Sequence, residues 1–176
     1  MLPGVRRYAR RVPLILAAGS ALDVNPFALT EAAAEAGFDG FGLRLSDQHR
    51  LDDPRQFRQH VERLGVALHD AEVIRLGSGI DPQPLIEAAA AAGAAAVLAV
   101  SDTRDREATV DGVGSLVEHC EPLGLVVGLE YMAWTDPTSP EEAVAIGRAT
   151  GCVIVVDVLH HVRAINAVRR ATERSR

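Results

Sequence analysis

Apolar residues along the chain gather into six short runs, each followed by a longer segment of mixed character. The runs are VPLILAA (12–18), FGLRL (41–45), VALHDAEV (66–73), AAAVLAVS (94–101), LVVGLE (125–130) and CVIVVD (152–157). Strands with one wet face alternate apolar and polar residues. Runs this continuous instead predict strands buried on both faces, in a parallel sheet wrapped by helices. The intervening segments carry helix punctuation. Asn25-Pro26, Asp53-Pro54, Asp81-Pro82 and Ser139-Pro140 each put a side-chain acceptor before a proline, the pairing of an N-cap with the first helical position. Twelve residues after each cap comes Gly37, Gly65, Gly93 or Gly151, suited to the left-handed residue that ends a helix. Ser139 has Glu142 three residues on, a capping box. A further helix is predicted over 107–122, ending before Gly124.

The helix starts at 25, 53 and 81 are 28 residues apart, and the step from 81 to 139 spans two nearly equal units. The chain therefore reads as six consecutive β-α units. An open doubly wound sheet could hold six. A closed barrel of eight units at this spacing needs about 224 residues. The even spacing favours the barrel type, because doubly wound folds vary their crossover lengths. No Gly-x-Gly-x-x-Gly follows the first strand; AAGSALD (17–23) is a poor match. The expectation is a single α/β domain over residues 1–176, of (β/α)8 TIM-barrel type, with about six of eight β-α units present.

Composition narrows the chemistry. At 176 residues and 48% hydrophobic, the chain can bury one substantial core. There is no apolar run of about 18 residues, hence no membrane span expected. The N-terminal MLPGVRRYARRVPLIL is basic and then apolar, but Pro13 breaks it and it leads straight into the first strand, so it is not read as a signal peptide. A formal net charge of −6 argues against a nucleic-acid surface. Cys120 and Cys152 form no disulfide or zinc spacing, and a cytoplasmic location is expected. All 18 basic residues are arginine. Without lysine there is no lysine Schiff base, no lysine-anchored pyridoxal phosphate and no P-loop.

Placed in register, the strand ends carry Arg44, Glu72, Ser101, Glu130 and Asp157, at intervals of 27 to 29 residues. Side chains alternate along a strand, so Glu130 shares a face with Gly128 and Val126, and Asp157 with Val155 and Val153. In a barrel those faces point inward and the polar ends converge at the top, where catalytic groups collect. Several carboxylates around one small space repel unless a cation lies between them. Oxygen ligands with a neutral imidazole suit magnesium, manganese, cobalt or zinc. The bland alternative is that Glu72, Glu130 and Asp157 pair with arginines or cap helices. Of His160 and His161, one belongs at the site, and spacing does not choose between them. His69 reads as a core or interface residue; His49, His60 and His119 read as solvated. In the loop YMAWTDPTSP (131–140), Trp134 is expected as a lid or apolar wall, and Asp136 as a proton-transfer group if the loop folds inward.

GLEYMAWTDPTSPEEAVAI (128–146), then VIVVDVLHHVRA (153–164), resembles the xylose-isomerase-like TIM barrels, the sugar phosphate isomerase/epimerase superfamily. DAEVIRL (70–76) resembles the third strand of that group, so the likeness runs through most of the chain. The resemblance implies a divalent metal (Mn, Mg, Co or Zn) held by Glu130 and Asp157, with Glu130 also a candidate base. It implies contact with a sugar or polyol substrate through His160, within an Asp-x-x-His-x-x-Arg pattern that includes Arg163; Glu72 and Trp134 complete the expected substrate wall. The histidine of strand seven and the glutamate of strand eight, which the resemblance would add, have no counterpart in INAVRRATERSR (165–176). The expectation is therefore a C-terminally truncated barrel, a homo-oligomer or one completed by another chain. Its activity is expected to be isomerase, epimerase or inosose dehydratase-like. The alternatives are an inactive barrel persisting as an oligomer, and an abasic-site endonuclease relative. The endonuclease is disfavoured by the acidic charge and by the lack of histidines ending strands two and three.

Overall fold

A computed structural model of the chain describes residues 12–45 and 50–174, from 167 onward in backbone only. The basic N-terminal stretch through Arg11 and His49 lie outside the described residues. The chain alternates β1 (Ile15–Leu16), α1 (Pro26–Glu35), β2 (Gly40–Arg44), α2 (Pro54–Leu64), β3 (Ala67–Leu76), α3 (Gln83–Ala92), β4 (Ala96–Ser101), α4 (Arg106–Cys120), β5 (Val126–Glu130), α5 (Pro140–Thr150), β6 (Val153–Val155) and α6 (Val158–Arg174). Six strands form one sheet in the order β1-β2-β3-β4-β5-β6, and every neighbouring pair is parallel. The result is a curled sector of a (β/α) TIM barrel with six of its units. Among the described residues no helix is long and apolar enough to cross a membrane.

Local punctuation builds the helices as the sequence predicts. Asn25 accepts the Ala28 N–H, Asp53 those of Arg55 and Gln56, and Ser139 that of Glu142. Gly37, Gly65, Gly93, Gly124 and Gly151 follow helices with φ between 70° and 83°. A side chain would strain this left-handed backbone. One boundary moves. α3 begins at Gln83 rather than at Pro82, although Asp81 still accepts the Gln83 N–H.

The core lies between the sheet's convex face and the helices. Phe41, Leu43, Ala71, Val97, Ala99, Val127 and Leu129 of the strands meet Leu29, Phe57, Ile86, Val113 and Ile146 of the helices. Phe57 stands edge-on to Phe41 and Phe27, with ring centroids 6.3 and 5.2 Å apart. Each large side chain buried here contributes about 1.5–3 kcal/mol. Because residues alternate, the buried Leu43 and Leu129 place their neighbours Arg44 and Glu130 on the concave face. Phe27 also covers His60, whose side chain is 14% exposed and faces Glu31 at 3.6 Å. His60 is thus packed rather than solvated. His69 is more open than a core position would be, and its Nδ1 lies 3.0 Å from Asp70.

Two strands are shorter than their apolar runs. β1 pairs with β2 over two residues only before a 3-10 turn at Ala18–Ser20. β6 stops at Val155, because the residues after it turn into α6.

Candidate metal centre

Glu130 closes β5, and Asp157 follows β6 at the head of α6. The Asp157 carboxylate accepts the backbone N–H of His160 at 2.9 Å, and its carbonyl accepts that of His161 at 2.8 Å. This is helix N-cap geometry, with the acid at the positive end of the helix dipole. One helical turn brings the His160 imidazole back over the acid. As a result Glu130, Asp157 and His160 each offer a ligand atom, and these atoms lie within 4.8 Å of one another.

The electrostatics show why the cluster is unusual. Burial raises the Glu130 pKa above its ordinary value, and the charges of Asp157 and Glu72 push the same way, against His160 and Arg44. Burial likewise raises Glu72, opposed by Arg44, whose guanidinium lies 3.3 Å from its carboxylate. Glu72, Glu130 and Asp157, with Asp70 beside Glu72, therefore share one concave mouth in which Arg44 and His160 oppose the acidic repulsion. The Nδ1 of His160 is buried without a hydrogen-bond partner. Such an orphan costs about 1–3 kcal/mol unless something binds it. Two carboxylates and an unpaired imidazole nitrogen are a donor set suited to a hard or borderline divalent cation, so the residues present fit such an ion. Three donors also leave coordination positions open.

The structure separates the two histidines. His161 turns away from the acids; its Nδ1 pairs with the Tyr131 hydroxyl at 2.5 Å, beside buried Ala143 and Ala164. Burial raises the Tyr131 pKa, consistent with a hydroxyl that keeps its proton for this bond. His160 is the histidine at the cluster. Trp134, 56% exposed, stands edge-on to it with ring centroids 5.1 Å apart, and the Arg163 guanidinium lies 5.9 Å from the Trp134 ring centre. Trp134 therefore lies against the histidine of the cluster, and Arg163 against Trp134.

Two expectations are corrected. Asp136 does not turn inward as a free proton-transfer group. Arg106 grips its carboxylate with Nε and one terminal nitrogen at 2.6–3.1 Å. Burial alone would raise its pKa, but the hydrogen bonds from Arg106 and Thr109 hold it below the ordinary value. Ser101 does not join the polar ring either. Its hydroxyl bonds Thr109 at 2.9 Å in the sheet–helix core, because it shares a face with buried Val97 and Ala99. Glu72 is on the concave face, engaged by Arg44. Reading the sequence alone missed Arg106 and the Tyr131–His161 pair. The arginine sits 30 residues from its partner, and nothing local marks it.

No protein-family profile and no curated protein matches the chain. Solved structures do. A xylose isomerase domain-containing protein from Salmonella typhimurium LT2 is similar with a TM-score of 0.74 and 17% identity, over 85% of this chain and 61% of that one. An AP endonuclease, family 2, from Brucella melitensis has a TM-score of 0.67 and 16% identity, over 86% and 71%. A D-allulose 3-epimerase from Methylomonas sp. has a TM-score of 0.61 and 15% identity, over 81% and 60%. The chain spans less than two thirds of the first and third. These likenesses show its fold, a sector of a (β/α) TIM barrel.

Proposed function

We propose that this chain supplies the strand-five and strand-six half of a divalent-metal site in a sugar or polyol isomerase or epimerase. The observation that carries this reading is the convergence of Glu130, Asp157 and the unpaired His160 nitrogen within 4.8 Å. Asp157 and His160, fixed to one another through the first turn of α6, would hold the cation together with Glu130. A bound magnesium, manganese, cobalt or zinc ion would polarise a substrate carbonyl or hydroxyl oxygen. Glu130, with its pKa raised by burial, is the group suited to take a proton from the adjacent carbon and return it. The Glu72–Arg44 pair offers acceptor and donor to sugar hydroxyls, and Trp134 with Arg163 walls the mouth.

The remaining ligands, in this reading, come from outside the described residues, from a second copy or a barrel-completing chain. Val153, Val156, Val158, Leu159 and Val162 are 48–75% exposed around β6 and the start of α6, an apolar surface suited to such a neighbour. The same surface favours a second reading, an inactive barrel unit that persists as an oligomer. Calorimetric titration with manganese decides between the two. The first reading expects binding that Glu130→Gln and Asp157→Asn each weaken at least about tenfold; equal binding by all three proteins would sink it. A well-folded monomer in analytical ultracentrifugation would count against the second. An endonuclease role, disfavoured by the net charge of −6, would require salt-sensitive DNA binding.

A further inference from the structure

The loop after β5 crosses three consecutive β-α units, and one residue outside the acidic cluster fixes its course. Arg106 opens α4, following β4. Its guanidinium grips Asp136 through Nε and a terminal nitrogen, and that nitrogen also lies 3.0 Å from Glu142 in the first turn of α5. Glu142 in turn accepts the Thr138 N–H at 2.9 Å and its hydroxyl at 3.0 Å. The Asp136 N–H donates to the Ser101 carbonyl at the end of β4. Inside the loop, the Thr135 hydroxyl accepts the Met132 N–H and bridges to the Pro137 carbonyl. Asp136 is thus tied to the β4–α4 unit and Thr138 to α5, while Trp134, two residues before Asp136, reaches the other way to His160 and Arg163 of α6.

We infer that Arg106 is a positioning residue that, through Asp136, holds Trp134 against His160 at the mouth of the acidic cluster. Charge-assisted forked pairing suits the task, because an arginine–carboxylate fork fixes orientation as well as distance. Arg75 pairs with Asp102 between β3 and the loop after β4 through a single terminal nitrogen that donates to both carboxylate oxygens at 3.1 Å, and among the described residues no aromatic ring stacks on it. It is therefore the natural control. The benefit to catalysis rests on the proposed function; the tether itself does not.

Trp134 is the chain's one tryptophan, so its fluorescence reports the loop without a label. The experiment is time-resolved anisotropy of the metal-free protein and of the Arg106→Gln, Asp136→Asn, Arg106→Gln/Asp136→Asn and Arg75→Gln variants. Loss of the tether is expected to raise the amplitude of the nanosecond depolarisation at least about twofold, since a released loop moves on that timescale. The double variant should do no more than Arg106→Gln alone, which already breaks the contacts to both Asp136 and Glu142. Arg75→Gln should leave the amplitude unchanged. Should Arg106→Gln not fold, Asp136→Asn gives the same reading with a near-isosteric change. Unchanged anisotropy in the folded variants, or an equal rise in Arg75→Gln, would overturn the inference. A manganese titration followed by Trp134 emission then tests the link to the site. The expected result is a change in the wild type that falls at least about twofold in Asp136→Asn, since a released loop averages the environment the indole samples. An undiminished change overturns the link. If manganese alters no protein's emission and calorimetry finds no binding, the proposed metal site fails while the anisotropy still judges the tether.

Discussion

The Trp134 indole meets the His160 imidazole edge to face, with centroids 5.1 Å apart and planes at 87°. The loop after β5 and the first turn of α6 are thereby joined at the one histidine that shares the acidic cluster. His160→Ala is expected to weaken manganese binding at least about tenfold, as loss of a ligand does. It should also move Trp134 emission to longer wavelength as the indole loses its neighbour. Calorimetry and a fluorescence spectrum check both; unaltered affinity would remove His160 from the donor set.

Tyr131→Phe offers the complementary experiment on the neighbouring histidine. It deletes the hydroxyl that pairs with His161 at a buried position, at a cost of about 0.5–1.5 kcal/mol in a denaturant titration. Manganese affinity should stay within about threefold of the wild type, because neither residue belongs to the cluster. A large loss of affinity would show that the two histidines had been assigned the wrong way round.

The acidity of Glu130 gives the metal-free protein a defined pH response. Burial raises its folded pKa above the unfolded value, so the folded chain binds this proton more tightly. That contribution to stability is complete below the unfolded pKa and is lost as pH rises through the folded one. Glu130→Gln removes the penalty. Its melting temperature should exceed that of the wild type near about pH 8 and lose the advantage near about pH 4. Thermal melts across that range test the sign; a variant less stable than wild type at high pH would contradict it. Glu72, also raised by burial, leaves a smaller slope of the same sign in the variant.

Two glycines facing the concave side differ in what a methyl group would meet. A Cβ on Gly40 would lie 2.6 Å from the Ala67 carbonyl oxygen, part of the β2–β3 ladder, whereas one on Gly128 would lie 2.8 Å from a Val155 methyl. Backbone cannot rotate aside, and a side chain can. Gly40→Ala is therefore expected to cost about 1–3 kcal/mol and Gly128→Ala less, measured by urea unfolding.

Much of the fold is legible because its determinants are local. Asn25, Asp53 and Ser139 cap helices whose first residue is the following proline, and the glycines twelve residues on adopt the left-handed backbone. The candidate site is legible in part. Glu130 follows from strand parity alone, since Val127 and Leu129 occupy the core side. Ser101 fails on the parity of its own strand, since Ala99 and Val97, two and four residues before it, occupy the core side. Even spacing along the chain hides this, because β3 carries an extra residue against β4 and Ser101 comes to lie beside Leu76 rather than Glu72.

By itself, then, the sequence determined six β-α units, a parallel sheet and an acidic mouth built on Glu130 and Asp157. Each of these follows from caps, apolar runs and alternation within a few residues. The tertiary structure decided which histidine joins the acids and what becomes of Asp136. Strand β6 ends early enough for Asp157 to cap α6, and that cap, rather than strand parity, aims His160 at Glu130 and leaves His161 to Tyr131. Asp136 lost its place as a free proton carrier to Arg106, a partner 30 residues away that only the packing of neighbouring units brings within reach.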